Sequence, residues 1–194
     1  GFSYRYRYSF LARIIQGQDP MQNNYTKIKN YLLSYEKVRS TTAWSHESFK
    51  VGRNTFVKLT VRGKAICMSI ALDPTQFEGT KYHVEDLREE GKEVALPTRF
   101  RIRSERGVKY AKDLIDMVMQ ELGVTQGEIP TVDYHMPYQT TEELVAADPQ
   151  LVKKIGETAR TTEKMPELPK ILPMEIPTEE SAEPEETLID ENGF

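Results

Sequence analysis

Residues 54–72 read NTFVKLTVRGKAICMSIAL, and this stretch decides the fold. Val57, Leu59 and Val61 alternate with Phe56, Lys58 and Thr60, the period of two of a half-buried strand. A second run repeats the pattern. Ile66, Met68, Ile70 and Leu72 alternate with the small residues Ala65, Cys67, Ser69 and Ala71. Arg62, Gly63 and Lys64 lie between the runs as a tight hairpin connection, with a glycine free to take a positive φ. Since an isolated hairpin is marginal in water, other elements must cover it.

Working outward, VRSTTAWSH (38–46) is β-branched and aromatic and predicts the strand before the hairpin; ESFKVGR (47–53) reads as the connection. A short strand is expected at 81–85, and TRFRIR (98–103) supplies another, with Phe100 and Ile102 on one side and Arg99, Arg101 and Arg103 on the other. Met21, Tyr25, Ile28, Leu32 and Tyr35 recur at helical spacing behind Asp19 as N-cap and Pro20, predicting a helix over 20–35. Ser104 and Gly123 bracket a second helix over 105–122, and a short one capped by Ser9 is expected over 9–16. The order of elements implies an α+β fold: a mostly antiparallel sheet of about five strands with the two main helices packed on one face. Leu59, Ile70, Phe100, Ile115 and Val118 are its expected core.

The chain of 194 residues is 38% hydrophobic with a mean hydropathy of −0.58. No apolar run approaches the roughly 18 residues of a membrane helix, so no membrane partner is expected. One cysteine, Cys67, excludes a disulfide framework and suits a reducing, cytoplasmic setting. The start at Gly1, with neither methionine nor leader, reads as a piece of a longer protein. Charge divides at Gly123. Residues 1–123 hold 21 Lys+Arg against 14 Asp+Glu, net +7, and residues 124–194 hold 5 against 16, net −11. This predicts a basic domain (1–123), an extension (124–155) with a short helix begun by Thr140 and Glu143 and an apolar anchor at Leu151–Ile155, and a disordered acidic segment (156–194). That segment reads either as a solubilising linker or as a loose competitor for the basic face of the domain.

The stretches YSFLARIIQ, KNYLLSYEKVRSTTAWSHESF, VRGKAICMSIALDP, TKYHVEDL and RFRIRSERGVKYAKDLIDMVM together resemble an uncharacterised domain of Firmicutes proteins, and over residues 8–123 are more distantly similar to YjbR-like domains. The resemblance implies a small bacterial α/β fold. Some YjbR-like domains carry a DNA-binding label, but no motif here transfers it.

Catalytic signatures are missing from the sequence. His46, His83 and His135 fall on separate segments without ligand spacing, and no phosphate loop or nucleophile elbow occurs. Cys67 lies among apolar strand residues as an inert thiol. Ser45 and His46 are read as strand neighbours on opposite faces, unable to pair. The expectation is therefore a non-enzyme with no catalytic, cofactor or metal residues. What remains is positive charge. Arg99, Arg101, Arg103 and Arg106, extended by Arg53, Lys58, Arg62 and Lys64, form either an anion- or partner-binding patch or a solvated sheet face. Tyr4, Tyr6 and Tyr8 alternating with Arg5 and Arg7 read as a nucleic-acid pattern, or as a frayed entry to the domain or an edge strand with a solvated arginine side. The expected partner is another protein or a neighbouring domain of the same chain; a nucleic acid is the alternative, and an unrecognised enzyme the third class.

Overall fold

The structure is a computed structural model that describes residues 5–91 and 95–155. Its centre is the hairpin β4 (Asn54–Arg62) and β5 (Ala65–Ile70), with Val57 opposite Ile70, Leu59 opposite Met68 and Val61 opposite Ile66. Gly63 takes φ 59° in its turn, the left-handed conformation that only glycine adopts without strain. β7 (Thr98–Ile102) lies antiparallel beside β5, so that Phe100 faces Met68 and Ile102 faces Ile66. With β2 (Val38–Thr42), β3 (Glu47–Val51) and β6 (Glu85–Asp86) this makes a six-stranded antiparallel sheet ordered β2-β3-β4-β5-β7-β6.

Helices α1 (Phe10–Gly17), α2 (Met21–Leu32) and α3 (Glu105–Leu122) bury their apolar stripes on one side of this sheet. Ser9 and Ser104 cap α1 and α3 as expected, and Gly123 ends α3 at φ 70°. The α+β layering is therefore as read, and all five expected core residues are buried.

Three local expectations are corrected. Residues 47–51 form a strand, not a connection: Glu47 and Phe49 turn toward the helices while the turn itself contracts to Gly52 and Arg53. Phe56 does not share the outward side of Lys58 and Thr60. Phe49 pairs with Val57 and Lys50 with Thr55, which leaves Phe56 in a bulge and buried in the core. Helix α2 starts at Met21 after Pro20 and stops at Leu32; Asp19 accepts from the Asn23 amide at 3.0 Å.

Beyond α3 the chain runs back along α2 as an extended strap. Helix positions four apart hold it: the Met136 amide donates to Gln22 Oε1, the Tyr134 amide to Thr26 Oγ1, and Asn30 Nδ2 donates to the Val132 carbonyl. At the far end the Gly127 amide donates to the Ser34 carbonyl. A helix α4 (Thr141–Ala147) follows, with Thr140 and Glu143 completing a capping box, and then β8 (Val152–Ile155), which pairs antiparallel with β1 (Arg5–Tyr8). Ala12, Ile15, Leu144 and Val152 form a second, small core beneath this ribbon. Arg5 and Arg7 are exposed while Tyr6 and Tyr8 pack toward that core. The expected disorder of 156–194 concerns residues outside those described.

Candidate partner-binding face

The side of the sheet away from α1–α3 carries the polar parity of every strand. Ser48, Lys58, Ser69, Arg99 and Glu85 lie side by side across five strands, and the next row runs Thr60, Cys67, Arg101. Arg62 opposite Ala65 ends the series. Of the eight cations singled out in the sequence, four (Lys58, Arg62, Arg99 and Arg101) therefore share this face. Lys64 in the hairpin turn, with the exposed Arg103 and Arg106 just after β7, stands at its end. Arg53 does not belong. It occupies the β3–β4 turn, about 30 Å from Arg62 along a nine-residue strand.

Arg99 and Arg101 are tied into the fold. Glu85 Oε1 accepts from Arg99 Nε at 2.9 Å and Nη2 at 2.6 Å, and Oε2 from Arg101 Nε at 2.6 Å. Burial alone would raise the Glu85 carboxyl, but the hydrogen bonds and charges of Arg101 and Arg99 hold it below the usual carboxylate range. Arg99 is 8% exposed, so the solvated-face reading fails for it; the guanidinium stitches the two-residue strand β6 to β7. Cys67 is fully buried beneath these side chains. Burial raises its thiol, against the lowering influence of Arg101, Arg99 and Arg62, which keeps it protonated at neutral pH.

Sequence reasoning missed three members, among them the exposed Arg39, which pairs with Lys50 and so shares its side of the sheet. Lys50, half-buried, lies on the same parity of β3 as Ser48. His46 precedes β3 in the turn that also holds Ser45, and there, off the strand, Ser45 Oγ sits 3.1 Å from His46 Nδ1, contrary to the expectation that the two cannot meet. Burial, with Lys58 and Lys50 adding to it, pushes His46 down to about 3. An imidazole of this kind is acylated or protonated only with difficulty and makes a poor general base at pH 7.

The same shift has a stability consequence. The folded pKa lies below the unfolded value of about 6.5, so the contribution is complete above that pH and is lost as pH falls toward 3, reaching about 2 kcal/mol at pH 5. Melting temperature should therefore drop between pH 7 and pH 5, and His46→Gln should flatten that drop. His135, raised chiefly by its hydrogen bond to Asp133, acts in the opposite sense but is common to both chains, so the difference isolates His46. Equal slopes for the two chains would show that His46 titrates normally.

Away from the face, a buried ionic group went unread. Tyr25 donates to Glu47 Oε1 at 2.6 Å, and the Lys29 ammonium lies 2.7 Å from Oε2 and 4.5 Å from the centroid of the Tyr134 ring. Its signal was an acidic residue at the head of a strand, which carries no periodicity. Among the described residues no group of His, Cys, Asp or Glu is arranged to hold a metal, and no helix is long and apolar enough to cross a membrane.

Compared with family models, curated proteins and solved structures, the chain finds no match in any of the three.

Proposed function

We propose that the chain is a non-enzymatic interaction module whose helix-free sheet face receives an acidic segment of another protein or of a neighbouring domain. The observation that carries this reading is the imbalance of the face. Among the described residues, Lys50, Lys58, Arg62, Arg99 and Arg101 share the face with one acid, Glu85, whose carboxylate two of the arginines share. Exposed charge pairs contribute only about 0–1 kcal/mol each, so affinity requires several at once, which favours a carboxylate-rich run over a single acid. Lys64, Arg103 and Arg106 prolong the patch at one end. Phosphates would meet the same cations, but the rows contain no aromatic side chain on which bases could stack. The likeness to Firmicutes and YjbR-like domains belongs to this proposal and lends it a fold only; the reduced thiol of Cys67 fits a cytoplasmic setting.

The test is binding of the full chain to labelled oligoglutamate and to mixed DNA and RNA oligonucleotides, at about 50 mM and about 200 mM salt. Oligoglutamate should bind, and Lys58→Glu with Arg62→Glu should weaken it about tenfold without lowering the melting temperature. Unchanged binding by that variant would overturn the reading. Binding of nucleic acid but not of oligoglutamate would replace it with the phosphate alternative.

A further inference from the structure

The described chain leaves the fold at Ile155, opposite Arg5 in the β1–β8 ribbon. That ribbon is fixed to one end of the sheet. The Phe10 amide donates to the Trp44 carbonyl, Trp44 Nε1 donates to the Gln150 carbonyl, and the Lys153 ammonium lies 4.5 Å from the centroid of the Trp44 ring. Trp44 sits in the β2–β3 turn, and because Glu47 pairs with Leu59, this turn is at the same end of the sheet as Arg62 and the β4–β5 hairpin. The 39 residues that follow, 156–194, hold eleven Asp and Glu against three Lys and Arg, net −8. They are launched from the basic end of the proposed face.

We infer that the resident occupant of the helix-free face is the chain's own acidic segment 156–194, which competes there with outside partners. The inference rests on the proposed reading of that face as a receptor for acidic segments. Reach is not limiting: 39 residues suffice for a random-walk span of roughly 35 Å, and β4, at nine residues, is about 30 Å long. Tethering supplies an effective concentration on the order of millimolar, so contacts too weak to hold two molecules together are populated within one. Charge supplies the selectivity. Over a screening length of about 8 Å at physiological salt, the segment is attracted by the rows of Lys58 and Arg101 and by Arg62, and not by the acidic surface of α4, which carries Glu142 and Glu143 in its first turn. The contact is thus loose by design of its chemistry: a partner with a denser run of carboxylates displaces it, while a weakly acidic one does not.

Two full-length chains test this: the natural one, and one in which every Glu of 156–194 is changed to Gln and Asp190 to Asn. Neutralisation lies outside the described fold and leaves chain length unchanged. Oligoglutamate should bind the neutralised chain about two- to tenfold more tightly at about 50 mM salt, with the difference shrinking at about 200 mM. A spin label attached at Ser181→Cys should broaden the amide signals of Lys58–Arg62 in the natural chain at low salt, and much less in the neutralised one; fully buried Cys67 is out of reach of the label. Equal affinities together with no broadening would overturn the inference while leaving the face as a receptor for other acidic partners. Failure of both chains to bind oligoglutamate would remove that reading and this inference with it.

Discussion

Glu47→Ala should destabilise the protein by about 3–5 kcal/mol, the cost of leaving one member of a buried ion pair without the other. Glu47 is fully buried at the head of β3, on the helix side of the sheet opposite Leu59. Its two oxygens are both used, one by the Tyr25 hydroxyl and one by the Lys29 ammonium. Lys29 has little water of its own, with 14% of its side chain exposed and the rings of Tyr25 and Tyr134 beside it. Truncation would therefore strand a charge and a buried hydroxyl together. Burial and the Glu47 charge already hold the Tyr25 hydroxyl well above its ordinary pKa, so it cannot compensate by ionising. Glu47→Gln keeps an acceptor for Tyr25 and should cost less. The combination Glu47→Leu with Lys29→Met, which removes both charges, should recover most of the loss. Chemical denaturation reads all three; a loss under about 1 kcal/mol for Glu47→Ala would mean that Lys29 swings out to solvent.

Ile115→Ala ranks next, at about 2–5 kcal/mol. The side chain is fully buried in the stripe that α3 lays across β5 and β7, together with Val108, Ala111 and Val118. Three missing carbons leave a cavity whose walls are a sheet and a second helix, neither of which can collapse without moving the other. Ile115→Val should cost only about 0.5–1.5 kcal/mol, and the ratio of the two losses separates a packing role from loss of helix propensity, since alanine is the better helix former. An unchanged melting temperature in Ile115→Ala would take the residue out of the core.

What was legible in the sequence is what the chain specifies locally. The β4–β5 hairpin rests on a period of two and a turn glycine, and α3 on a period of 3.6 between Ser104 and Gly123; each signal lies within the element it builds. Strand β3 lacks such a signal. ESFKV offers only Phe49 and Val51 on its core parity and heads it with an acid, and the burial of Glu47 depends on Tyr25 and Lys29, which are some twenty residues away. Phe56 was misplaced because a bulge changes parity without any mark in composition. The strap has no pattern of its own since its order is lent by α2; the usable clue was the polar series Gln22, Thr26 and Asn30, one turn apart on a helix that needed only one solvated side, continued by Ser34 just past its end. For the candidate face, parity placed Lys58, Arg62, Arg99 and Arg101 together. The clamp of Arg99 and Arg101 on Glu85 could not be read, because it depends on which strands become neighbours, whereas the exclusion of Arg53 follows from the length of β4 alone.

The strap along α2 sets two rulers side by side. Four helix residues rise about 6.0 Å, whereas two extended residues span about 6.4–6.8 Å, so each rung slips by roughly half an ångström. Hydrogen bonds absorb that slip from Gln22 to Thr26 to Asn30, matched by Met136, Tyr134 and Val132. A further step would bring Pro130, which has no amide hydrogen, to Ser34. The chain instead skips to Gly127, and the residues between are slack, with Ile129 turned half into solvent. Length is thus guarded unequally along one continuous segment: a residue gained or lost at 128–131 changes only the slack, while one lost between Val132 and Met136 throws the remaining backbone groups out of phase with the helix that holds them.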